Sequence, residues 1–518
     1  MKIKPIILVA LFFGATFFSA AQDITDALRY SQEDLTGTAR FTAMSGAFGA
    51  LGGDLSALKV NPAGSAVFLQ DAAAISFRTS FTDQSAGYLG NESTDNRTDF
   101  NLSQLGAVFI FDNYNQNNDI KFVAGITIDQ TASLDNEYAI FGTSANSIDQ
   151  YFIDSATGFT VDDIASNGQS TTNAYLEIGD IPELGFPAQQ AFLGYEGFII
   201  NPFDPDDLNE TNYVSALGTE SNREFDQEYR IDARGNMGKF SGNLAFEFSD
   251  TYYLGFNFNG HFLNYDQRTT YLEQNSNPGA ETNYVEFINR LDVDGSGFSV
   301  QVGGIAKIGN SLRAGLAYES PTWWILTESF SQRLITATDD AANPDVIDLN
   351  PNVVTIFPAY QIRTPGKTTG SLAYVFGQKG LLSIDYSYKN YANARLNSDV
   401  YNDQFESPNI YGEENREIEN TLQAVSAIRI GAEYRIDQWS LRGGTRYEQS
   451  PFKDEDAGSD LYGFSGGLGY TYKNFHFDGS YDFSAQDQNE RLFQTGLATQ
   501  ANIDRNQHAI TLTVGFDF

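Results

Sequence analysis

The chain holds few groups suited to bond-making chemistry. Of its 518 residues only three are histidine, His261, His476 and His508, and none is cysteine. His476 has Asp478 two residues on, which in an extended strand puts base and acid on one face, the spacing a base and its orienting acid would use. No serine stands in a G-x-S-x-G turn to serve as nucleophile, so no enzyme is expected. Two acidic runs, "DVDGSG" at 292–297 and "DPDDLNETN" at 204–212, are similar to calcium loops. Neither runs on to the closing glutamate of an EF-hand, so no metal is expected. The glycine-rich "GALGGDLSALKVNPAG" at 49–64 raises the question of phosphate binding. A dinucleotide loop needs a buried strand before its glycines and a helix after them. Here a helical pattern lies upstream and Asn61-Pro62 closes the segment, so no nucleotide cofactor is expected.

With little chemistry to position, the elements themselves carry the argument. Residues 1–21 read as a secretory leader: Lys2 and Lys4, a short apolar run, then small residues before Gln22. The formal charge of −36 leaves no basic stripe to replace the counterions of a nucleic acid, so none is expected as a partner. Against that acidity stand 28 tyrosines and 41 phenylalanines, a load that fits aromatic girdles at a membrane boundary.

From residue 72 onward the pattern has period two. Ile510, Leu512, Val514, Phe516 and Phe518 share one face; Thr511, Thr513 and Gly515 share the other. Ile428, Ile430, Ala432 and Tyr434 likewise alternate with Arg429, Glu433 and Arg435. Fourteen strands are expected, near 72–82, 100–112, 119–131, 237–248, 251–275, 283–308, 311–334, 353–377, 380–392, 420–436, 438–450, 460–473, 475–485 and 507–518. Every second connection is tight, and those between are long and polar, among them 83–99, 486–506 and the largest, 132–236. A sandwich has no reason to sort its loops so, whereas an outer-membrane barrel does. Closure also removes the strand edges that lipid could not satisfy. The fold class is therefore all-β: a transmembrane antiparallel β-barrel spanning 72–518, with a partly helical segment, 22–71, placed as a plug in its lumen. Trp323 and Trp324 are candidates for interface anchors or for ordinary strand aromatics.

The segment "GTARFTAMSGAFGALGGDLSALKVNPAG" at 37–64 resembles the N-terminal hatch of the FadL/TodX outer-membrane transporters of hydrophobic compounds. Its marks are small residues around Ser45 and Gly46, the pair Gly52 and Gly53, an acid at Asp54, and Asn61, Pro62 and Ala63. "LRAGLAYESP" at 312–321, "LLSIDYSYKNY" at 381–391, "IRIGAEYR" at 428–435 and "LRGGTRYEQSPF" at 441–452 extend the likeness, in a form similar to Bacteroidetes variants. Phe516 and the terminal Phe518 resemble the signal read by the barrel assembly machinery.

The resemblance implies passive uptake of long-chain fatty acids or aromatic hydrocarbons across the outer membrane of a Gram-negative cell, by a monomer surrounded by lipid and lipopolysaccharide. It also implies release through an opening in the wall at a kink in the third strand, where Gly125 is the cheapest place to bend; close packing is the alternative use of that glycine. The long loop carries Phe186, Phe192, Leu193, Tyr195, Phe198, Ile199, Ile200 and Phe203, a dense apolar set readable as a loop core, a capture surface for ligand, or both. Asp385, Arg429, Glu433, Arg442 and Arg446 fall on inward faces as lumen charges that pair and hold the plug; the arginines are also candidates for a carboxylate. A structural or adhesive barrel, binding a surface partner through acidic loops, is the alternative function.

Overall fold

A computed structural model describes residues 24–112, 120–207, 209–218, 222–338, 345–398, 411–493, 495–497 and 499–518. The expected leader and the turn expected at 113–118 lie outside them. With interrupted strands counted once, the barrel has fourteen antiparallel strands. They are β1 (Ala72–Tyr88), β2 (Asn91–Asp112), β3 (Ile120–Ser133, resumed at Asn136–Ser144), β4 (Phe225–Phe248), β5 (Tyr252–Asn275), β6 (Thr282–Ile308) and β7 (Leu312–Glu319, resumed at Trp323–Thr338). Then follow β8 (Tyr360–Arg363, resumed at Lys367–Val375), β9 (Gly380–Asn390, resumed at Arg395–Ser398), β10 (Ala424–Ile436), β11 (Trp439–Glu448), β12 (Leu461–Tyr472), β13 (Phe475–Arg491) and β14 (Gln500–Asp517). β1 pairs with β14 from Ala72↔Asp517 to Gly87↔Asn502, which closes the sheet.

Several strands run well past the expected ends. At about 3.3 Å per residue the 27 residues of β6 reach roughly 90 Å, where about 9–11 residues cross a bilayer core. Residues 83–99, expected as a long loop, are instead the continuation of β1 and β2 around a two-residue turn at Leu89-Gly90, both with positive φ. Likewise β3 extends to Ser144 and β4 begins at Phe225, shrinking the insertion expected at 132–236.

The reason is an inversion of chemistry along a strand whose geometry never changes. In the lower part of β4, Lys239, Ser241 and Asn243 are buried while Phe240 and Leu244 face out. In its upper part Phe225, Ile231 and Ala233 are buried, and Arg230 and Arg234 face out. Below, the wall has lipid outside and a polar plug inside; above, it has water outside and an apolar core inside. Charged outward residues thus look like loop while remaining strand.

That upper core is built by the insertion. Helices α3 (Asp149–Ala156), α4 (Val161–Ile164), α5 (Thr171–Asp180) and α6 (Gly185–Glu196) pack Ile148, Phe152, Ile164 and Phe192 against Phe225, Tyr271, Phe287 and Leu334 of the wall. The outer face below carries the apolar belt. Its rim at the short turns is aromatic: Phe475 lies 4.8 Å from Phe516, Trp439 4.8 Å from Tyr470, and Tyr374 4.8 Å from Phe376. Phe516 and Phe518 both face out, 5.9 Å apart. Of the two tryptophans only Trp323 faces outward. Trp324 is buried with its edge toward His261, because neighbouring residues of a strand point to opposite faces.

Candidate functional site: a polar lumen between hatch and cap

The hatch begins with α1 (Ile24–Arg29) and α2 (Ala39–Ala43), followed by two short 3₁₀ turns, Leu55–Lys59 and Pro62–Val67. Each turn is started by an expected residue. The Asp54 carboxylate accepts from Ser56 N and from the Thr38 hydroxyl, both at 2.8 Å. The Asn61 carbonyl oxygen accepts from Ala63 N, while its amide donates to Gly49 O at 2.7 Å and across the lumen to Gly304 O of β6. Gly53 N donates to Gly64 O, so the two ends of the glycine-rich stretch are tied together. A Cβ on Gly52 would stand 2.7 Å from that carbonyl, and its φ of +61° favours glycine as well.

The wall makes room for this compact body with glycines of its own. A Cβ on Gly255 or Gly303 would collide with Pro62 or Asn61, and one on Gly431 would stand 2.7 Å from Met44 O. Polar contacts add to the fit. Ser45 Oγ meets Ser465 Oγ at 2.8 Å beside Gly46, and Gly49 N donates to Asp385. Glu433 accepts from Arg40 of the hatch and from Arg442, each at 2.8 Å, and Arg442 reaches on to Asp478. Arg429 stands 3.9 Å from Glu448 and is paired in register with Arg446 of β11. His476 pairs with Asp517 at 2.7 Å, not with Asp478. "DVDGSG" is a stretch of β6, not a loop, with Val293 inward and Asp292 and Asp294 facing out.

The apolar set of the insertion divides. Phe192, Leu193, Ile199 and Ile200 are fully buried in the cap core. Phe186 packs edge-on against Phe330 of the wall at 5.8 Å, Tyr195 is half-buried, and Phe198 and Phe203 face solvent.

Between the hatch and the barrel wall lies a cavity of about 30 Å³. Pro321 and Pro365 interrupt the adjacent strands β7 and β8, since proline cannot donate to a ladder. There Glu319, Trp324 and Lys367 meet Lys389 of β9, His261 of β5 and the segment 30–33 of the hatch. Lys367 pairs with Glu33 at 2.6 Å and with Glu319 at 3.2 Å, and Lys239 with Glu319 at 3.4 Å. The Lys389 ammonium donates to Ser31 O. Three lysines therefore face two carboxylates. Alternation could have found them, because Lys389 shares the inward face with Ser387 and Asp385.

One seam in the wall lacks a ladder. β2 and β3 pair only from Asp112↔Lys121 to Gln104↔Asp129, and β3 pairs beyond that point with β4 alone. Side chains take over at the upper part of the seam: Asp95 accepts from Ala139 N, and Arg97 of β2 reaches Asp135 at 3.3 Å and Glu137 at 3.7 Å on β3. The hatch closes the lower part from inside. Asp34 N donates to Thr131 O, the Asp34 carboxylate accepts from Ser133 N, and Gly37 N donates to Ser103 Oγ. Gly125 sits below the seam in unbroken ladder, paired with Val108 and Asn243, and a Cβ there would lie 3.1 Å from Leu58. The irregularity of β3 is a bulge between Gln130 and Ala132, with the strand interrupted after Ser133.

Solved structures of this shape include a FadL homologue of Pseudomonas aeruginosa, at TM-score 0.52 and 13% identity over 94% of this chain and 100% of that one. The toluene transporter TodX of P. putida gives TM-score 0.51 and 13% identity over 94% and 99%. The fold is that of the FadL-type transporters. At this identity the likeness extends to the FadL-type barrel with its lumenal N-terminal segment, and the residues of the cavity and seam stand on their own geometry. No family profile matches the chain, and no curated protein matches it in sequence.

Proposed function

We propose that the protein is an outer-membrane channel for passive uptake of hydrophobic molecules bearing an anionic head, such as long-chain fatty acids. The carrying observation is the cation cluster at the cavity: Lys367 and Lys389 line it with Glu33 and Glu319, and Lys239 beside it also pairs with Glu319, in a chain of net charge −36. A neutral hydrocarbon has no use for an ammonium whose partner is a backbone carbonyl, whereas a carboxylate gains a charge-assisted hydrogen bond there. The apolar outer belt and its aromatic rim favour a monomer set among outer-membrane lipids and lipopolysaccharide, inserted by the barrel assembly machinery.

The seam between β2 and β3, rather than Gly125, is the proposed lateral exit. It is the stretch of wall where closure rests on side chains and hatch contacts, and such contacts can part without breaking a ladder. In proteoliposomes, uptake of labelled oleate should saturate and fall several-fold in Lys389→Met, while toluene entry is little changed. Oleate uptake equal with and without the protein would return the structural or adhesive barrel to first place.

A further inference from the structure

We propose that Glu273 is a proton-binding site at the root of the cap: a proton on its Oε1 holds the first turn of the insertion to the barrel wall, and loss of that proton loosens the cap. The inference concerns the outer lid and goes beyond the uptake function just proposed.

Glu273 lies near the upper end of β5, well above Phe262 of the outer apolar belt, and is fully buried. Its two oxygens have different company. Oε2 accepts three bonds, from Ile148 N at 3.2 Å, from Gln227 Nε2 at 2.9 Å and from the Tyr271 hydroxyl. Oε1 has the Ser147 hydroxyl. A backbone N–H cannot turn acceptor, and the Gln227 amide is oriented by the Tyr88 hydroxyl, which donates to its oxygen. A serine hydroxyl can reverse, because its oxygen accepts as well as donates. A proton on Oε1 therefore donates to Ser147 Oγ while Oε2 keeps its three donors, and the neutral acid fits the site with every heavy atom in place.

Charge points the same way. Among the described residues no hydrogen-bond partner of Glu273 is a cation, whereas Glu319 and Glu433 each face cations. The paired residues on the neighbouring strands are Gln227 and Val285, neither titratable. The titratable groups around it are Tyr271 on its own strand, Tyr88 of β1, and Asp149 and Arg223 of the insertion. Arg223 is engaged by Asp149 at 2.5 Å and by Ser215 Oγ at 2.8 Å. A buried carboxylate without a cation favours its neutral form. Burial, with Asp149 adding to it, pushes the Glu273 carboxyl up to about 7, against the bonds from Ser147, Tyr271 and Gln227.

These contacts are where the lid is rooted. Ser147 and Ile148 lead directly into α3, and Asp149 ties that start to Arg223, where the insertion returns to β4. A cap that lifts there exposes Glu273 to water and returns it to about 4.5. Between about 4.5 and 7 the docked cap binds a proton that the undocked cap does not. Docking therefore strengthens as pH falls through that window and gains nothing further below it.

The test is hydrogen exchange of the full chain in detergent micelles, read as protection factors so that the intrinsic pH dependence of exchange cancels. Amides of α3 and α6 are expected to be roughly 70-fold better protected at pH 5 than at pH 8, the ratio that linkage gives for those two values, while those of β12 stay level. Glu273→Gln keeps an amide oxygen for the three donors and an amide N–H for Ser147 Oγ, as the neutral acid does. Its cap should be as protected at pH 8 as the native cap at pH 5. Asp149→Asn frees Arg223 to compensate the Glu273 carboxylate and should move the midpoint to lower pH. Heat-modifiable gel migration establishes that each variant is folded. Protection of α3 and α6 that does not change with pH, or a Glu273→Gln cap as loose at pH 8 as the native one, would overturn the latch. If Glu273→Gln does not fold, Asp149→Asn decides, and a midpoint that stays or rises refutes the inference. None of these outcomes bears on oleate uptake, which the proteoliposome assay decides separately.

Discussion

Arg97→Ala tests whether side chains hold the upper seam shut. Arg97 bonds Asp99 at 3.0 Å on its own strand and Asp135 at 3.3 Å across the seam, with Glu137 at 3.7 Å. Its side chain is 17% exposed, so these contacts are only partly screened. A hydrogen bond to a charged group contributes about 1.5–3 kcal/mol, and removing the arginine also leaves three carboxylates facing one another. Discounting for partial exposure, the closed seam should lose about 2 kcal/mol. At 1.4 kcal/mol per factor of ten, that raises the open-to-closed ratio about 30-fold. Oleate uptake below saturation and entry of a hydrophobic antibiotic should therefore rise strongly, up to the point where another step limits them. Arg290→Ala is the control. Arg290 also bridges strands, to Asp266 at 2.8 Å, but lies on the outer face away from the seam and is 58% exposed. Surface pairs of that kind contribute about 0–1 kcal/mol, so uptake should not change. Folded Arg97→Ala with uptake and leakage equal to those of Arg290→Ala would refute the reasoning.

Three further outcomes follow from the lids. Gly431→Leu forces a Cβ to within 2.7 Å of the Met44 carbonyl oxygen, so the hatch should seat poorly and antibiotic leakage rise while the barrel still migrates as folded. Phe192→Ala opens a cavity in the cap core and should cost about 3–5 kcal/mol locally, read as faster proteolysis of the insertion with the barrel intact. Burial holds the Lys59 ammonium of the hatch down to about 8, with Lys239 and Lys367 adding to the effect and Asp129 and Glu33 opposing it. Between that value and about 10.4, its ordinary one, an unseated hatch binds a proton that the seated hatch does not, so seating strengthens as pH rises through this window. Leakage should fall from pH 8 to pH 10, and Lys59→Met should flatten the trend.

How much of this was legible in the chain depends on which rule was asked to read it. Alternation located all fourteen strands, because the period of two holds wherever a strand has two different sides. It misjudged where strands end, because the two sides exchange chemistry above the membrane. Arg230 and Asp232 on the outer face of β4 look like loop residues until the opposite row, Ile231 and Ala233, is seen to line a core. The same rule, carried consistently, would have placed Lys239, Lys367 and Lys389 on the inward face beside Asp385. They went unread because a lone lysine in a strand says nothing until proline breaks in neighbouring strands bring several to one level. The seam was not legible at all. Nothing in the composition of 91–103 or 130–144 distinguishes a strand that pairs from one that is clasped by Arg97 and by the hatch. Local sequence specifies which face a side chain takes, whereas the place where a ladder stops depends on what the remote segment 34–37 brings to the edge. The glycine-rich stretch shows both sides of this. Its glycines were readable as close packing, but the wall glycines the stretch approaches, Gly315 at Gly49 and Gly303 and Gly304 at Asn61, lie some 240 residues or more away, and only the closed barrel brings them together.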